Sequence, residues 1–265
     1  MSWQVPHRAP NVELPILYED TDVVAVNKPA GLLTHRPELP KKETAPTSAS
    51  PDVMSGELGA PTESVGAEEW FKEKYPSVEL EHAYVHRLDR DTSGVLVFAK
   101  NAVAYDFLRK AFHDREVKKS YLAIVYGVPK EKKGVINFDI GRSRKDFRLR
   151  SAQPKAKGRL RDALTNYEVI GETAQYALLK LNPETGRTHQ IRVHLKAIHH
   201  PIVGDPLYAP NHPQALGLSR LALHAYEIDL PLPSGTRVRI VAPIPADLAE
   251  ALTHFPDAEE QFAHS

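Results

Sequence analysis

Between His86 and Gly94 the chain reads HRLDRDTSG, which sets the carboxylate of Asp89 between Arg87 and Arg90, with Asp91, Thr92, Ser93 and Gly94 close behind. Val95, Leu96, Val97 and Phe98 follow at once, and four β-favouring apolar residues predict a short buried strand. A polar loop that runs straight into such a strand holds its carboxylate still, as a nucleophile or a base must be held. The plain alternative is an ion-pair partner for a neighbouring arginine. A third possibility is hydrolysis by paired carboxylates, Asp89 with Asp91.

Other chemistries have less to work with. The chain has no cysteine, so disulfides, zinc-thiolate sites, iron–sulfur clusters and thiol catalysis are excluded. It has no H-E-x-x-H pair, no Walker loop and no G-x-S-x-G. His189, His194, His199 and His200 gather in one stretch, but five-residue steps turn successive rings to different helix faces, which suits a metal poorly. No metal is therefore expected. Lys and Arg together number 34, as do Asp and Glu, giving a formal net charge of zero. The distribution is uneven: from Gly141 to Arg161 there are nine basic residues, Arg142 and Arg144 among them, against Asp146 alone. That segregation suggests a phosphate-facing surface, the alternative being a merely solvated face. No apolar run approaches the roughly 20 residues of a membrane span, and Met1 to Pro10 lacks the apolar core of a secretory signal. A soluble, cytoplasmic protein is expected.

The elements that must position Asp89 can be read in outline. Ile16–Tyr18 and Val23–Val26 predict two strands around a polar turn, ended by Pro29 and Gly31. His35–Gly66 has no period and reads as a flexible insertion over about 36–66. Ala67–Tyr75 predicts a short helix stopped by Pro76, and Asn101 caps another with Val103, Phe107, Ala111 and Phe112 along one face. Strands are predicted at Lys119–Tyr126, Val135–Ile140, Ala163–Ile170, Tyr176–Leu181, Ala222–Leu230 and Arg237–Val241. Helices are expected over Thr188–His199, with Ile191, Leu195 and Ile198 on one side, and over Ala246–His254. Many strands, few helices and no strict βαβ alternation point to an α+β fold on a largely antiparallel sheet.

HRLDRDTSG resembles the H-R-L-D-x-x-T-S-G signature of the RluA-type pseudouridine synthases. NKPAGLLTH (Asn27–His35), KKSYLAIVYG (Lys118–Gly127), TGRTHQIRVHL (Thr185–Leu195), HPIVGDPLY and RLALHA resemble the family in the same order. The resemblance implies a single catalytic domain with a bent mixed sheet, flanking helices and a central cleft, and nothing before the first strand resembles an S4-like module. It implies an isomerase that breaks the N1–C1′ bond of a uridine in ribosomal or transfer RNA, rotates the uracil and rejoins it through C5, needing no cofactor. It makes Asp89 the catalytic residue, Arg192 its ion-pair partner and Tyr121 the ring that packs on the target base. Lys119 would meet a phosphate or a carbonyl, and Asn27 and Lys28 would support the cleft wall. Gly186, Arg187 and His189 would be structural or position RNA, Arg87 would contact it, and His86 and Arg90, flanking the loop, would hold the displaced partner or the backbone. RNA is then the partner, the protein is expected to be a monomer, and replacing Arg192 should cost activity more than stability. A catalytically silent RNA-binding protein on the same fold is the alternative; it would lack Asp89, Arg192 or Tyr121.

Overall fold

The computed structural model describes residues 13–35, 66–144, 149–152, 156–256 and 258. The insertion expected over 36–66 lies, Gly66 apart, outside them, as do Lys145, Arg148 and Lys155 of the basic stretch. Twelve strands are described. They are β1 (Ile16–Glu19), β2 (Val23–Lys28), β3 (Ser93–Ala99), β4 (Lys118–Tyr126), β5 (Lys133–Asn137), β6 (Ile140–Arg142), β7 (Arg150–Ser151), β8 (Lys157–Arg161), β9 (Leu164–Glu172), β10 (Tyr176–Pro183), β11 (Leu223–Pro231) and β12 (Arg237–Val241). The α-helices are α1 (Ala67–Lys74), α2 (Ala102–His113), α3 (Gln190–Ala197) and α4 (Ala246–Leu252). The fold is α+β, as the strand-rich pattern predicts.

One nine-stranded sheet runs in the order β1-β2-β3-β11-β4-β10-β9-β5, with β12 on β11. Its pairings are antiparallel except between β3 and β11, where Ser93 faces His224 and Gly94 faces Ala225. On the far side of β11, Ala225 is in register with Tyr121 of β4, so Gly94, Ala225 and Tyr121 form one row across the middle of the sheet. Gly94 has φ +116°, and a Cβ there would lie 2.1 Å from the carbonyl oxygen of Ala225. Only glycine lets the two backbones close at that point.

β3 is an unbroken apolar run because both its faces are covered. Val95 and Val97 pack with Ala104, Leu108 and Ala111 of α2, whereas Leu96 and Phe98 pack with Phe71 of α1. A larger core lies under α3 and α4, where Ile191, Leu195, Leu248 and Phe255 meet Leu122, Ile124 and Leu178. The Asn101 cap is present, its Oδ1 accepting from the Ala104 N–H at 2.8 Å.

Some expectations fail locally. The buried face of α2 is Ala104, Leu108 and Ala111, while Val103 is 75% and Phe107 37% exposed. The helix is turned by one position because small alanines let it lie close on β3. The strand expected over Val135–Ile140 is two strands, β5 and β6, and β6 leaves the main sheet for a small one of order β7-β6-β8. β7 and β8 were hidden by their arginines, lysine and glycine, which carry little β-propensity. α3 is shorter than Thr188–His199, because His189 takes the left-handed conformation at φ 56° and the helix starts after it.

Candidate active site

The loop bearing Asp89 is tied down on both sides. Lys28, at the end of β2, is fully buried, and its ammonium donates to the carbonyls of Pro29 (3.0 Å), Leu32 (2.7 Å) and Arg90 (3.0 Å). The Gly31 N–H adds a second bond to the Arg90 carbonyl at 2.9 Å. Thr34 Oγ1 donates to the Leu88 carbonyl (2.9 Å) and accepts from the Leu88 N–H (3.1 Å). A buried ammonium is tolerated only where oxygens satisfy it. Lys28 therefore holds the loop whose Leu88 and Asp89 line the cavity, and the two residues flanking Asp89 are held by their backbones.

The Asp89 side chain is 17% exposed and accepts from Arg192 Nη1 at 3.4 Å. Arg192, on α3, makes its shorter contacts elsewhere: Nε and Nη2 each reach a carboxylate oxygen of Asp205 at 2.8 Å. Asp205 also accepts from the N–H groups of Leu207 (2.9 Å) and Tyr208 (3.0 Å), and the guanidinium lies over the Tyr208 ring at 5.2 Å. Arg192 is thus aimed at Asp89 by a second, buried carboxylate. In the sequence Asp205 is one residue of HPIVGDPLY, with no role expected of it. The carboxylate of a Gly-Asp-Pro turn was the visible signal, but its partner lies on another element.

Burial pushes the Asp89 carboxyl up, while His189, Arg192 and Arg87 pull it down, and the net position is below the ordinary carboxylate value. His189 is itself depressed, chiefly by burial, so at neutral pH the lasting positive charges near Asp89 are the two arginines. Burial, and then the Asp89 charge, pushes the Tyr121 phenol up, so it stays protonated. Burial lowers the Lys119 ammonium to about 8. These groups share a cavity of about 820 Å³, whose lining includes Asp89, Lys119, Tyr121, Arg187, Arg192 and Leu223.

The remaining expected site residues divide. Arg87 and His189 line the cavity, and His189 Nδ1 is 3.0 Å from the Tyr208 hydroxyl. Lys119 Nζ donates to the Thr185 carbonyl at 3.3 Å. His86 lines the cavity too, but its Nε2 accepts from the Val97 N–H at 2.9 Å and its ring stacks on Phe112 at 5.1 Å. Burial, with the Lys119 charge, lowers His86 to about 3, so it is neutral. Arg90 pairs with Asp91 at 3.0 Å, and neither is part of the cavity lining. Asp91 is therefore not a second carboxylate for Asp89. Arg142 and Arg144 are exposed and stand apart from the cavity, on and just after β6. Arg142 faces Arg150 across β6 and β7. Burial, then the charges of Arg142, Arg161 and Arg87, lower Arg150.

The family model described as RNA pseudouridylate synthase matches residues 22–197. The chain belongs to that family. It is 35% identical over 249 residues to an RNA pseudouridine synthase of Synechocystis sp., covering 93% of this chain and 70% of the relative. It is 32% identical over 253 residues to ribosomal large subunit pseudouridine synthase D of Borreliella burgdorferi, covering 96% of this chain and 72% of that one. Among solved structures, human RNA pseudouridylate synthase domain containing 4 matches with a TM-score of 0.65 at 26% identity, covering 90% of this chain and 91% of that chain. RNA pseudouridine synthases are isomerases, so the chain is an isomerase by family. Among the described residues, no helix is long and apolar enough to cross a membrane.

Proposed function

We propose that the protein isomerises specific uridines of ribosomal or transfer RNA to pseudouridine, with Asp89 as the essential group and no cofactor. The observation that carries this reading is the position of Asp89: a carboxylate in the lining of a cavity, beside Arg192 and in the same lining as Tyr121. The cavity volume falls within the range of small-molecule pockets, and a uridine turned out of its stack, at a cost of a few kcal/mol, has room to enter. Asp89 then attacks the sugar or the base, or assists removal of the 2′ proton. Arg192 keeps it charged as water is excluded. Tyr121 packs on the uracil and its hydroxyl serves the proton at C5. Arg87, Lys119, Arg187 and His189 hold the nucleotide from the cavity wall, and Arg142 and Arg144 meet the backbone further out.

The test is Asp89→Asn, which keeps size and removes charge. Turnover should vanish while the fold and most RNA binding persist. Mapping pseudouridine across the RNA of a deletion strain, complemented by parent or variant, names the substrate and checks the residue together. Restoration of the missing position by the Asn variant would remove Asp89 from the chemistry.

A further inference from the structure

Three separate parts of the chain meet at the mouth of the cavity: the end of α2, the turn between β8 and β9, and the loop before α3. They contribute Arg115, Asp162 and Arg187 to its lining. The Asp162 carboxylate sits between the two guanidiniums, accepting from Arg115 Nη2 at 3.1 Å and from Arg187 Nη2 at 3.1 Å. Arg187 Nε also donates to the Asp162 backbone carbonyl at 3.0 Å, so Arg187 keeps an anchor that does not depend on the carboxylate. Asp162 is 67% exposed. An ion pair this wet holds its partners weakly. Two guanidiniums around one oxyanion is also the arrangement that a phosphate takes.

A second observation concerns the backbone of Arg115. Its φ is +63°. The Arg115 N–H donates to the Phe112 carbonyl at 3.4 Å and the Glu116 N–H to the Ala111 carbonyl at 2.9 Å, which is the Schellman closure of a helix. The left-handed position in that motif is usually glycine, and any side chain there is strained. Here the strained position sends a guanidinium to the mouth of the cavity.

We infer that Arg115 and Arg187 form a phosphate subsite for the RNA backbone next to the target nucleotide, with the Asp162 carboxylate as a placeholder that the phosphate displaces. This rests on the reading of RNA as substrate. The experiment titrates the full chain with a fluorescein-labelled oligouridylate over a range of salt. Asp162→Asn should tighten binding by roughly two- to fivefold, since it releases two exposed and therefore weak ion pairs. Arg115→Gly should weaken binding and reduce the slope of log affinity against log salt by about 0.7, one phosphate contact on a single strand. The same variant should melt no lower than the parent, since glycine relieves the strain, and Arg115→Gln gives the binding result with a neutral polar side chain still on the left-handed backbone. The opposite signs separate this proposal from a purely structural bridge, for which Asp162→Asn and Arg115→Gln shift affinity in the same direction or not at all. Either of those results overturns it. Pseudouridine formation by the parent is measured alongside: a parent that makes pseudouridine while the variants fail to diverge keeps the enzyme reading and removes the subsite.

Discussion

Arg192 carries one positive charge between two carboxylates, and its shorter contacts go to Asp205 and not to Asp89. The side chain is 3% exposed, so its removal strands buried charge. Breaking a buried pair by deleting one partner costs about 3–5 kcal/mol. Arg192→Met should therefore lose stability of that order in urea unfolding as well as activity, a cost in stability that the pairing with Asp205 adds to the expectation drawn from sequence. Asp205→Asn added to Arg192→Met should return part of the lost stability and none of the activity. A single variant within about 0.5 kcal/mol of the parent would show the triad to be energetically idle. Asp89, Tyr121 and Arg192 were singled out because each falls on a stretch that resembles a family motif. Asp205, Asp162 and Arg115 were not, because their meaning lies in partners that the fold brings from elsewhere.

The row Gly94, Ala225, Tyr121 shows how elements share the work of holding the site. Thr92, Ser93 and Gly94 follow Asp89 as a group of small residues, and Gly94 is needed for the close approach of β3 to β11. Gly94→Ala must move the Ala225 carbonyl and force an L side chain to a positive φ. A loss of about 3 kcal/mol or more is expected from strain and the broken parallel pair. Guanidinium unfolding measures it, and a variant as stable as the parent would mean that β3 and β11 can separate there at no cost. The strands of the main sheet were readable from their apolar content. The rotation of α2 was not, since alanines on the inner face carry little apolar weight while Val103 and Phe107 outside carry more. The small basic sheet escaped because charge masked its backbone pairing.

Across the whole molecule, acid should act through histidines buried in the neutral form. His224 is fully buried, with Nδ1 2.9 Å from Ser93 Oγ and Nε2 3.4 Å from the Ala242 carbonyl. Burial lowers it from 6.5 to about 4, the Ala242 carbonyl opposing and Arg220 assisting. His86 is lowered to about 3. In each case the folded pKa lies below the unfolded one, so the unfolded chain takes up protons first. The stability is complete above pH 6.5 and is lost as pH falls towards 4. One such histidine gives a slope of at most about 1.4 kcal/mol per pH unit. Melting temperatures followed from pH 7 downward should fall, and His224→Gln should fall less steeply; parallel curves would acquit His224. The same residue stands on β11, and the position of that strand affects how the chain is born. β11 lies between β3 and β4, which precede it in sequence by about a hundred residues or more. During synthesis at roughly 5–20 residues per second, β1–β3 and β4–β10 leave the ribosome as two incomplete ladders, each with an open edge facing the place that β11 will take. The loop of Asp89 gains its final support only when Leu223–Pro231 arrives. A chain interrupted before then would carry Asp89 and Tyr121 on two unjoined edges, with the row Gly94, Ala225, Tyr121 incomplete.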